Sequence, residues 1–311
     1  MSGQTEAIYT LNRYYRERFG TKVYKLSLHG GMSCPNRDGK LGTRGCIFCS
    51  RGGSGDFSAS PSLSIPEQLD AAKKLVSHKI VNGKYIAYFQ AFTNTYASVD
   101  YLRKIYYEAI SPEDIVGLSI ATRPDCIDAD ILRLLEEINH SKPVFVELGL
   151  QTIHERSAEF IRRGYPLPLF DDAVKKLAAI HLNIVVHLIL GLPNETPCDM
   201  TASIKHINTL PVSGVKLQLL HILKGTDLAD YYLNKDNCFT ALSLEEYTKL
   251  LAQCIEELRP DIVIHRLTGD GNKKELLAPL WSADKKHVLN YINSYFKEHH
   301  IIQGGTYNNG T

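Results

Sequence analysis

Six short apolar segments recur along the chain, separated by segments with helical spacing. Most of them lack the polar-apolar alternation of a half-exposed strand, which indicates strands buried on both faces. The segments are Tyr24 to Leu28, Tyr85 to Phe89, Gly117 to Ala121, Val144 to Leu150, Ile184 to Leu190 and Val215 to Ile222.

Helical patterns lie between these apolar segments. Ser64 and Glu67 have the spacing of a helix-capping box, and residues 131–138 place their apolar side chains on one helical face. Two more helices are predicted at 171–181 and at about 199–210. Strands that alternate with helices pair in parallel through right-handed connections. We therefore predict an α/β fold, namely a partial (β/α)6 TIM-like barrel.

The chain beyond the sixth strand is predicted to form a small C-terminal α/β extension. Ser243 and Glu246 have a second capping-box spacing, residues 262–265 are compatible with a seventh strand, and a last helix is expected at 282–299. The predicted division is residues 1–226 for the partial barrel with an N-terminal helix and a cysteine loop, 227–302 for the extension packed on it, and 303–311 for a flexible tail.

The composition is that of an ordinary globular protein. With 311 residues, of which 44% are hydrophobic and 22% charged, the chain can form a large core, and extensive disorder is excluded. The 35 Lys and Arg residues nearly balance the 34 Asp and Glu residues, so any contact with a nucleic acid has to come from a local basic patch. We find neither a secretory signal nor about 18 consecutive apolar residues, and we expect a cytoplasmic protein without a membrane span.

Three of the seven cysteines lie in one glycine-rich segment after the first predicted strand. Cys34, Cys46 and Cys49 are separated by eleven and two residues. A loop beyond the carboxyl end of a barrel strand is where α/β barrels place their active sites. Three thiolates suit a 4Fe-4S cluster that keeps one iron without a protein ligand. The alternatives are a zinc site completed by His29 or water, and three core cysteines without a ligand.

This loop and the segments after it resemble the radical S-adenosylmethionine (SAM) superfamily, over about residues 22–226. In that superfamily the three-cysteine loop binds a 4Fe-4S cluster whose open iron chelates SAM. The resemblance implies Cys34, Cys46 and Cys49 as cluster ligands. It also implies that Phe48, the aromatic residue before the third cysteine, lies against the adenine of SAM.

Further matching segments supply candidate SAM contacts. By resemblance, Gln90 and Thr93 lie at the turn that binds the SAM amino group, and Gln151 reaches SAM from the fourth strand. Gln151 emerges from an otherwise apolar strand and would need a partner if buried. Arg163 matches the arginine that pairs with the SAM carboxylate, a role that suits a guanidinium. The alternative for Arg163 is a solvated charge at a helix end.

Two other segments carry candidate site residues. The fifth strand, with His187 and Leu190, ends in the apolar turn that in relatives lies beside the adenine. A hydrogen-bonded core histidine is the alternative for His187. Cys126 follows a Thr-Arg-Pro-Asp segment similar to that of the elongator catalytic subunit, and it is a candidate hydrogen donor in catalysis. The alternative for Cys126 is a buried core thiol.

Over its whole length the chain resembles the YtqA/YhcC family, also called MnmL. The shared motifs are residues 34–39, 89–96 and 265–271. The resemblance implies modification of the tRNA wobble uridine, from the 5-carboxymethylaminomethyl to the 5-aminomethyl form. Candidate substrate contacts are Asn36, Arg37, Arg123, His265 and Arg266, with Asp270 beside the last two. For the segment from His265 to Asp270, an ordinary capped loop is the alternative.

We therefore predict a radical SAM enzyme with one 4Fe-4S cluster that acts on tRNA and receives electrons from a donor such as flavodoxin or ferredoxin. Basic pairs at Lys273-Lys274 and Lys285-Lys286 are compatible with phosphate contacts or with solvated helix faces. One rival is a radical SAM enzyme acting on a small molecule or a peptide. The other is a zinc-binding protein without catalytic activity.

Overall fold

A parallel sheet forms the centre of the protein. The computed structural model describes residues 7–53, 55, 58–79, 83–234, 236, 238–269 and 271–308. Within these residues, seven strands pair in parallel and the sheet is curled into a partial barrel, so the predicted fold class is confirmed. In spatial order the strands are β1 (Val23–Leu28), β2 (Lys84–Phe89), β3 (Ile115–Thr122), β4 (Val144–Gln151), β5 (Asn183–Leu190), β6 (Gly214–Leu219) and β8 (Val263–Arg266).

Helices cover the outer face of this sheet and pack on its apolar side chains. The predicted capping box of the ninth helix is present, because the Ser243 backbone N–H donates to the Glu246 carboxylate at 2.8 Å and the Glu246 N–H donates to the Ser243 hydroxyl at 3.2 Å. The helices are α1 (Leu11–Phe19), α2 (Ile65–Val76), α3 (Val99–Ile110), α4 (Ala129–Asn139), α5 (Glu155–Phe160), α6 (Leu167–Ala179), α7 (Pro197–Asn208), α8 (Asp227–Leu233), α9 (Leu244–Glu257) and α10 (Lys285–Glu298).

The inner face of the sheet is apolar at the amino-terminal ends of the strands and polar further along them. Tyr15 of α1 packs with Val23, Ile86 and Phe145 from the amino-terminal halves of three strands, in a small cluster separate from the main core. Because alternate residues of a strand point to opposite faces, the next inward positions are Lys25, Tyr88 and Glu147, and these are polar. The helix α1 therefore closes the amino-terminal end of the barrel, and the other end stays open to ligands.

The C-terminal part differs in detail from the sequence prediction. The predicted sixth strand splits, since the chain leaves the main sheet after Leu219 and β7 (Ile222–Leu223) pairs antiparallel with β9 (Leu276–Ala278). The predicted seventh strand, β8, joins the main sheet beside β6. The domain boundaries stay a prediction. Gln303, at the start of the predicted tail, is buried and its side-chain amide donates to the carbonyl of Ile262 at 2.8 Å.

Among the residues that the structure describes, no helix combines the length and apolar character that a membrane crossing requires.

Candidate active site

A cavity of about 250 Å³ opens at the carboxyl ends of the parallel strands. All three cysteines of the loop after β1 line it, together with residues from the ends of six strands. Besides Cys34, Cys46 and Cys49, the lining includes Arg37, Phe48, Gln90, Thr93, Arg123, Glu147, Gln151, Arg163, His187, Ile189, Lys216 and Arg266. The structure thus brings most of the residues predicted from separate motifs to one site.

The cysteine loop is held in place by hydrogen bonds to backbone carbonyls. Asn36 donates its side-chain amide to the carbonyl of Arg162 at 2.7 Å, and Arg37 donates to the carbonyl of Ser50 at 2.6 Å. Gly164 has a φ of +83°, and a Cβ atom there would lie 2.9 Å from Asn36 Oδ1. Glycine is therefore required at this position for the loop to approach the end of α5 so closely.

Asn36 is buried and holds the loop in place. It is not among the cavity-lining residues, and its amide also lies 3.4 Å from Cys46 Sγ. Asn36 therefore supports the loop, and its role as a substrate contact stays a prediction. Arg37 does line the cavity, but it shares its guanidinium with the carbonyls of Cys49 and Ser50.

The three thiols share the cavity. Burial raises the pKa of the Cys46 thiol to about 12, and the neighbouring Cys49 adds to this shift. Across the described residues, no group of three or more Cys, His, Asp or Glu side chains is arranged to hold a single metal ion. A 4Fe-4S cluster makes a different demand, because each thiolate binds a different iron atom. The ligand set therefore stays a prediction.

Gln151 has an unusual backbone conformation and a buried side-chain oxygen. It ends β4 at a register shift, and its φ of +66° is unusual for a residue other than glycine. Its side-chain oxygen Oε1 is buried and has no hydrogen-bond partner within the described part of the chain. A buried acceptor without a partner is costly, so the geometry fits a ligand that donates a hydrogen bond into the cavity.

All three guanidinium nitrogen atoms of Arg163 hydrogen-bond to other groups of the protein. It is 2% exposed, and its guanidinium donates to the carbonyls of Thr152 at 2.6 Å, Tyr165 at 2.9 Å and Leu150 at 3.2 Å. Its remaining donor lies 3.3 Å from the Glu155 carboxylate. These bonds join the end of β4 to the segment after α5. The predicted pairing with the SAM carboxylate is untested, and the observed bonds describe a residue that shapes the cavity wall.

We expect replacement of Arg163 by alanine to lower the free energy of unfolding by about 3 kcal/mol, because three buried carbonyls lose their donor. Urea titration of the purified variant measures this loss. Arg156→Ala, on the exposed face of α5, is the matched control and should change the stability by less than about 0.5 kcal/mol. A stable Arg163 variant that has only lost SAM affinity would instead support the predicted pairing with SAM.

A buried polar cluster forms the floor of the cavity. The Glu147 carboxylate accepts hydrogen bonds from Ser119 at 2.7 Å, Tyr88 at 3.0 Å and His187 at 2.7 Å, and it pairs with Lys25 and Lys216. We call these six residues the Glu147 cluster. Of its members, sequence reasoning named only His187. The signal that could have found Lys25, Glu147 and Lys216 is a single charged residue inside each of three apolar strands.

Electrostatics in the Glu147 cluster favour an ionised carboxylate. Burial alone would raise the pKa of Glu147, but the charges of Lys216 and Lys25 outweigh it and hold that pKa well below its usual range. Burial lowers the pKa of Lys216 to about 7, against the opposing effect of Glu147. Burial and Lys216 lower the pKa of His187 to about 4, so the imidazole is neutral at pH 7.

Three further predicted residues are not among those that line the cavity. Leu190 packs in the main core on the helix-facing side of β5, and Ile189 lines the cavity instead. Cys126 lies in a short 3₁₀ turn and lines a separate cleft, where burial raises its pKa to about 12. His265 is half-buried on β8 and lies close enough to the charged residues of the Glu147 cluster to interact with them. The catalytic role of Cys126, the cofactor contact of Leu190 and the substrate contact of His265 stay predictions.

The other predicted residues line the cavity. Phe48 packs on the apolar cluster formed by the cysteine loop, α5 and α8. Gln90 accepts a hydrogen bond from Ser27 at 3.0 Å, and Thr93 is buried beneath the loop. Arg123 pairs with Asp125 at 2.7 Å. Arg266 lines the cavity floor from β8. Asp270 lies outside the described residues.

Comparison with known proteins gives the class of this protein. Residues 40–207 match the radical SAM superfamily, and residues 212–298 match the radical SAM C-terminal domain. The chain therefore belongs to the radical SAM superfamily, whose members use a 4Fe-4S cluster and SAM and require a reductant. Within it, the chain belongs to the YtqA/YhcC family, because it is 41% identical to YtqA of Bacillus subtilis over 97% of this chain and 94% of YtqA.

More distant relatives include proteins of the elongator type. The structure of the Elp3 protein of the archaeon Methanocaldococcus infernus superposes with a TM-score of 0.69 at 15% identity, over 90% of this chain and 64% of that chain, so it shares the fold. The tRNA uridine(34) acetyltransferase of Dehalococcoides mccartyi is 28% identical over 50% of this chain and 33% of its own length. Membership of the superfamily indicates a radical SAM enzyme.

Proposed function

We propose that this enzyme holds a 4Fe-4S cluster on Cys34, Cys46 and Cys49, binds SAM beside it, and modifies the wobble uridine of tRNA. The reaction we propose converts the 5-carboxymethylaminomethyl group to 5-aminomethyl by C–N cleavage. SAM is the two-electron oxidant of the carbon next to the amine, and water hydrolyses the resulting imine, so the amine stays on the uridine and the two-carbon fragment leaves as glyoxylate. The observation that carries the proposal is that one cavity is bordered by the three cysteines, by Gln151 and by Glu147 with three of its cluster partners. The buried side-chain oxygen of Gln151 has no hydrogen-bond partner among the residues that the structure describes. When bound, the cluster and SAM supply a 5'-deoxyadenosyl radical that abstracts hydrogen from a substrate carbon.

The residues of this chain bind, orient and shield the reactants. Gln151 offers an acceptor to a donor group of SAM, and Phe48 offers an aromatic surface to its adenine. The apolar cluster around Phe48 excludes water at the cavity wall. The small cluster around Tyr15 excludes water at the amino-terminal end of the barrel. Exclusion of water limits side reactions of a reactive intermediate.

The tRNA substrate is supported by the family resemblance and by the distant relative named tRNA uridine(34) acetyltransferase. Lys273, Lys274 and Lys286 are exposed, and they follow Gly269 and Gly271, which line the cavity. Exposed lysines are suited to contact phosphates, and we propose that these three position the anticodon loop. We propose flavodoxin or ferredoxin as the electron donor.

The modified nucleosides of bulk tRNA test this function. We expect cells without the protein to accumulate 5-carboxymethylaminomethyluridine and to lack the 5-aminomethyl form. Expression of the wild-type chain should restore the 5-aminomethyl nucleoside, and the Cys46→Ala variant should not. Unchanged wobble nucleosides would contradict the proposed substrate and would favour the small-molecule or peptide alternative. A colourless protein containing zinc after anaerobic purification would favour the non-catalytic alternative.

A further inference from the structure

The cavity wall carries more cationic than anionic side chains. Among the described residues that line the cavity, Glu147 is the one carboxylate, facing five cationic side chains: Arg37, Arg123, Arg163, Lys216 and Arg266. The first three arginines donate to backbone carbonyls or to Asp125, as described above. Lys216 and Arg266 lie at the floor. An excess of positive charge around a cavity indicates that its ligand carries negative charge.

Lys216 and Arg266 are neighbours on adjacent strands. They are paired in the register of β6 with β8, so both side chains start from the same level of the sheet. Lys216 is 5% exposed, yet its side chain reaches the cavity wall. Two cations at one level can hold the two oxygens of one carboxylate.

Lys216 also keeps hydrogen-bonding capacity for a ligand. Its ammonium pairs with Glu147 and donates to the Tyr88 hydroxyl at 3.1 Å. A lysine ammonium has three N–H groups, and within the described residues the third has no protein acceptor. Glu147 cannot compensate both of its lysines, because one carboxylate carries one negative charge and Lys25 shares it.

We propose that Lys216 and Arg266 form a carboxylate-binding subsite at the cavity floor, which receives the acidic end of the substrate side chain. This inference rests on the proposed function, in which that end is the carboxymethyl group attached to the amine of the modified uridine. The subsite is a binding site, and Lys216 and Arg266 are specificity residues that distinguish an acidic from a neutral side chain.

The depth of the subsite separates it from the expected position of SAM. Lys216 is the third residue of β6, and the strand continues to Leu219, so Lys216 lies about 10 Å below the strand end at about 3.3 Å per residue. The cysteine loop and Gln151 lie at or beyond the strand ends. A cofactor bound to the cysteine loop and Gln151 would lie at the mouth of the cavity. A substrate group that extends past this cofactor would reach Lys216.

The charged groups around Lys216 favour the binding of an anion. It faces Lys25 from β1, Tyr88 from β2, Glu147 from β4, His187 from β5 and Arg266 from β8. Burial and the two neighbouring cations lower the pKa of Lys216 despite Glu147. A bound carboxylate adds a second negative charge and stabilises the ammonium form.

Because SAM also has a carboxylate, the subsite is tested with SAM already bound. The probe is independent of tRNA. The probe is N-methylglycine, which reproduces the acidic end of the proposed side chain, and its neutral counterpart is N-methylglycinamide. Both are added at about 100 mM to the reconstituted enzyme saturated with SAM, and the melting temperature is measured. We expect N-methylglycine to raise the melting temperature and the amide to leave it unchanged.

The variants assign this effect to Lys216. Lys216→Gln should abolish the difference between acid and amide, and Lys216→Arg should retain it, because the guanidinium keeps the charge. The control is Lys176→Gln, whose side chain is 55% exposed on α6 and should behave as the wild type. The SAM dissociation constant of Lys216→Gln, from equilibrium dialysis, should stay within about twofold of the wild type, since the subsite lies below SAM.

Three results would overturn the proposal. The first is the absence of an acid-specific rise in the wild type, a result that needs no variant to fold. The second is an acid-specific rise that Lys216→Gln retains. The third is loss of SAM affinity by about tenfold or more in Lys216→Gln, which assigns the site to the SAM carboxylate. None of these readouts involves tRNA, so unchanged wobble nucleosides would contradict the proposed function separately.

Discussion

We expect the replacement of Cys46 by alanine to abolish SAM cleavage by the purified enzyme. The proposed cluster would lose one of three thiolate ligands, and the remaining site could not hold it in the same oxidation state and position. Enzymes of this kind accelerate their reactions by at least about 10⁶-fold, so we expect the rate of 5'-deoxyadenosine formation to fall by at least about 10³-fold. Iron and sulfide analysis after anaerobic reconstitution should show a matching loss. The same result is expected for Cys34 and Cys49.

Matched controls come from cysteines elsewhere in the chain. Cys198 and Cys238 are exposed and share no cavity with the loop, so Cys198→Ala and Cys238→Ala should keep wild-type iron content and SAM cleavage. Retention of SAM cleavage by any one of the three loop variants would remove that cysteine from the site. Circular dichroism of each variant separates loss of the cluster from loss of the fold.

The second large effect is expected from Glu147→Gln. The carboxylate is completely buried and forms ion pairs with Lys25 and Lys216 in the middle of the barrel. Loss of one partner of a buried ion pair leaves an uncompensated charge and costs about 3–5 kcal/mol. We therefore expect the free energy of unfolding at pH 7 to fall by about that amount. Guanidinium chloride titrations of the wild type and the variant measure it.

The pH dependence of this loss has a defined sign. In the wild type the folded-state pKa of Lys216 is about 7, below its value of about 10.4 in the unfolded chain, so the unfolded state binds more protons between these values and stability rises with pH. Without Glu147 the pKa of Lys216 should fall further, so the folded variant binds fewer protons than the folded wild type below about pH 7. The deficit of the variant should therefore be largest below about pH 7 and should shrink as the pH rises through 7.

An exposed glutamate is the control for this experiment. Glu245 pairs with Lys249 on the surface of α9, and Glu245→Gln should change the stability by less than about 1 kcal/mol. The role given to the Glu147 cluster would be contradicted if Glu147→Gln cost no more than Glu245→Gln. A deficit that did not vary with pH would contradict the assignment of the charges.

The barrel can be predicted from the sequence because the evidence for each of its strands is local. Each buried strand is a continuous apolar run, and the carboxyl ends of parallel strands meet at one edge whatever the details of packing. Residues that follow strand ends, such as Cys34, Gln90 and Gln151, were therefore predicted to share a site, and the structure places them around one cavity. Motif order along the chain was sufficient for this step.

The placement of other residues depends on geometry that the sequence pattern does not contain. Strand alternation turns Leu190 towards the helices and Ile189 towards the cavity. Cys126 follows a strand end as Gln90 and Gln151 do, but the 3₁₀ turn after Arg123 directs it into the neighbouring cleft. A shift of one residue along a strand, or one short turn, decides whether such a side chain faces the cavity.

The Glu147 cluster was missed because its members are far apart in sequence. Lys25, Glu147 and Lys216 are each single charges in apolar strands, and such a residue taken alone is equally compatible with an exposed edge position. Only the closure of the sheet brings the three side chains together. A search for isolated charges at inward positions of several parallel strands would have found them.

Electron paramagnetic resonance of the reduced enzyme, recorded before and after addition of SAM, tests the central claim most directly. The account predicts the signal of one reduced 4Fe-4S cluster per chain and a change in its shape when SAM binds, because three cysteine ligands leave one iron open to SAM. A protein that holds no iron after anaerobic reconstitution, or a cluster signal that SAM leaves unchanged, would contradict it.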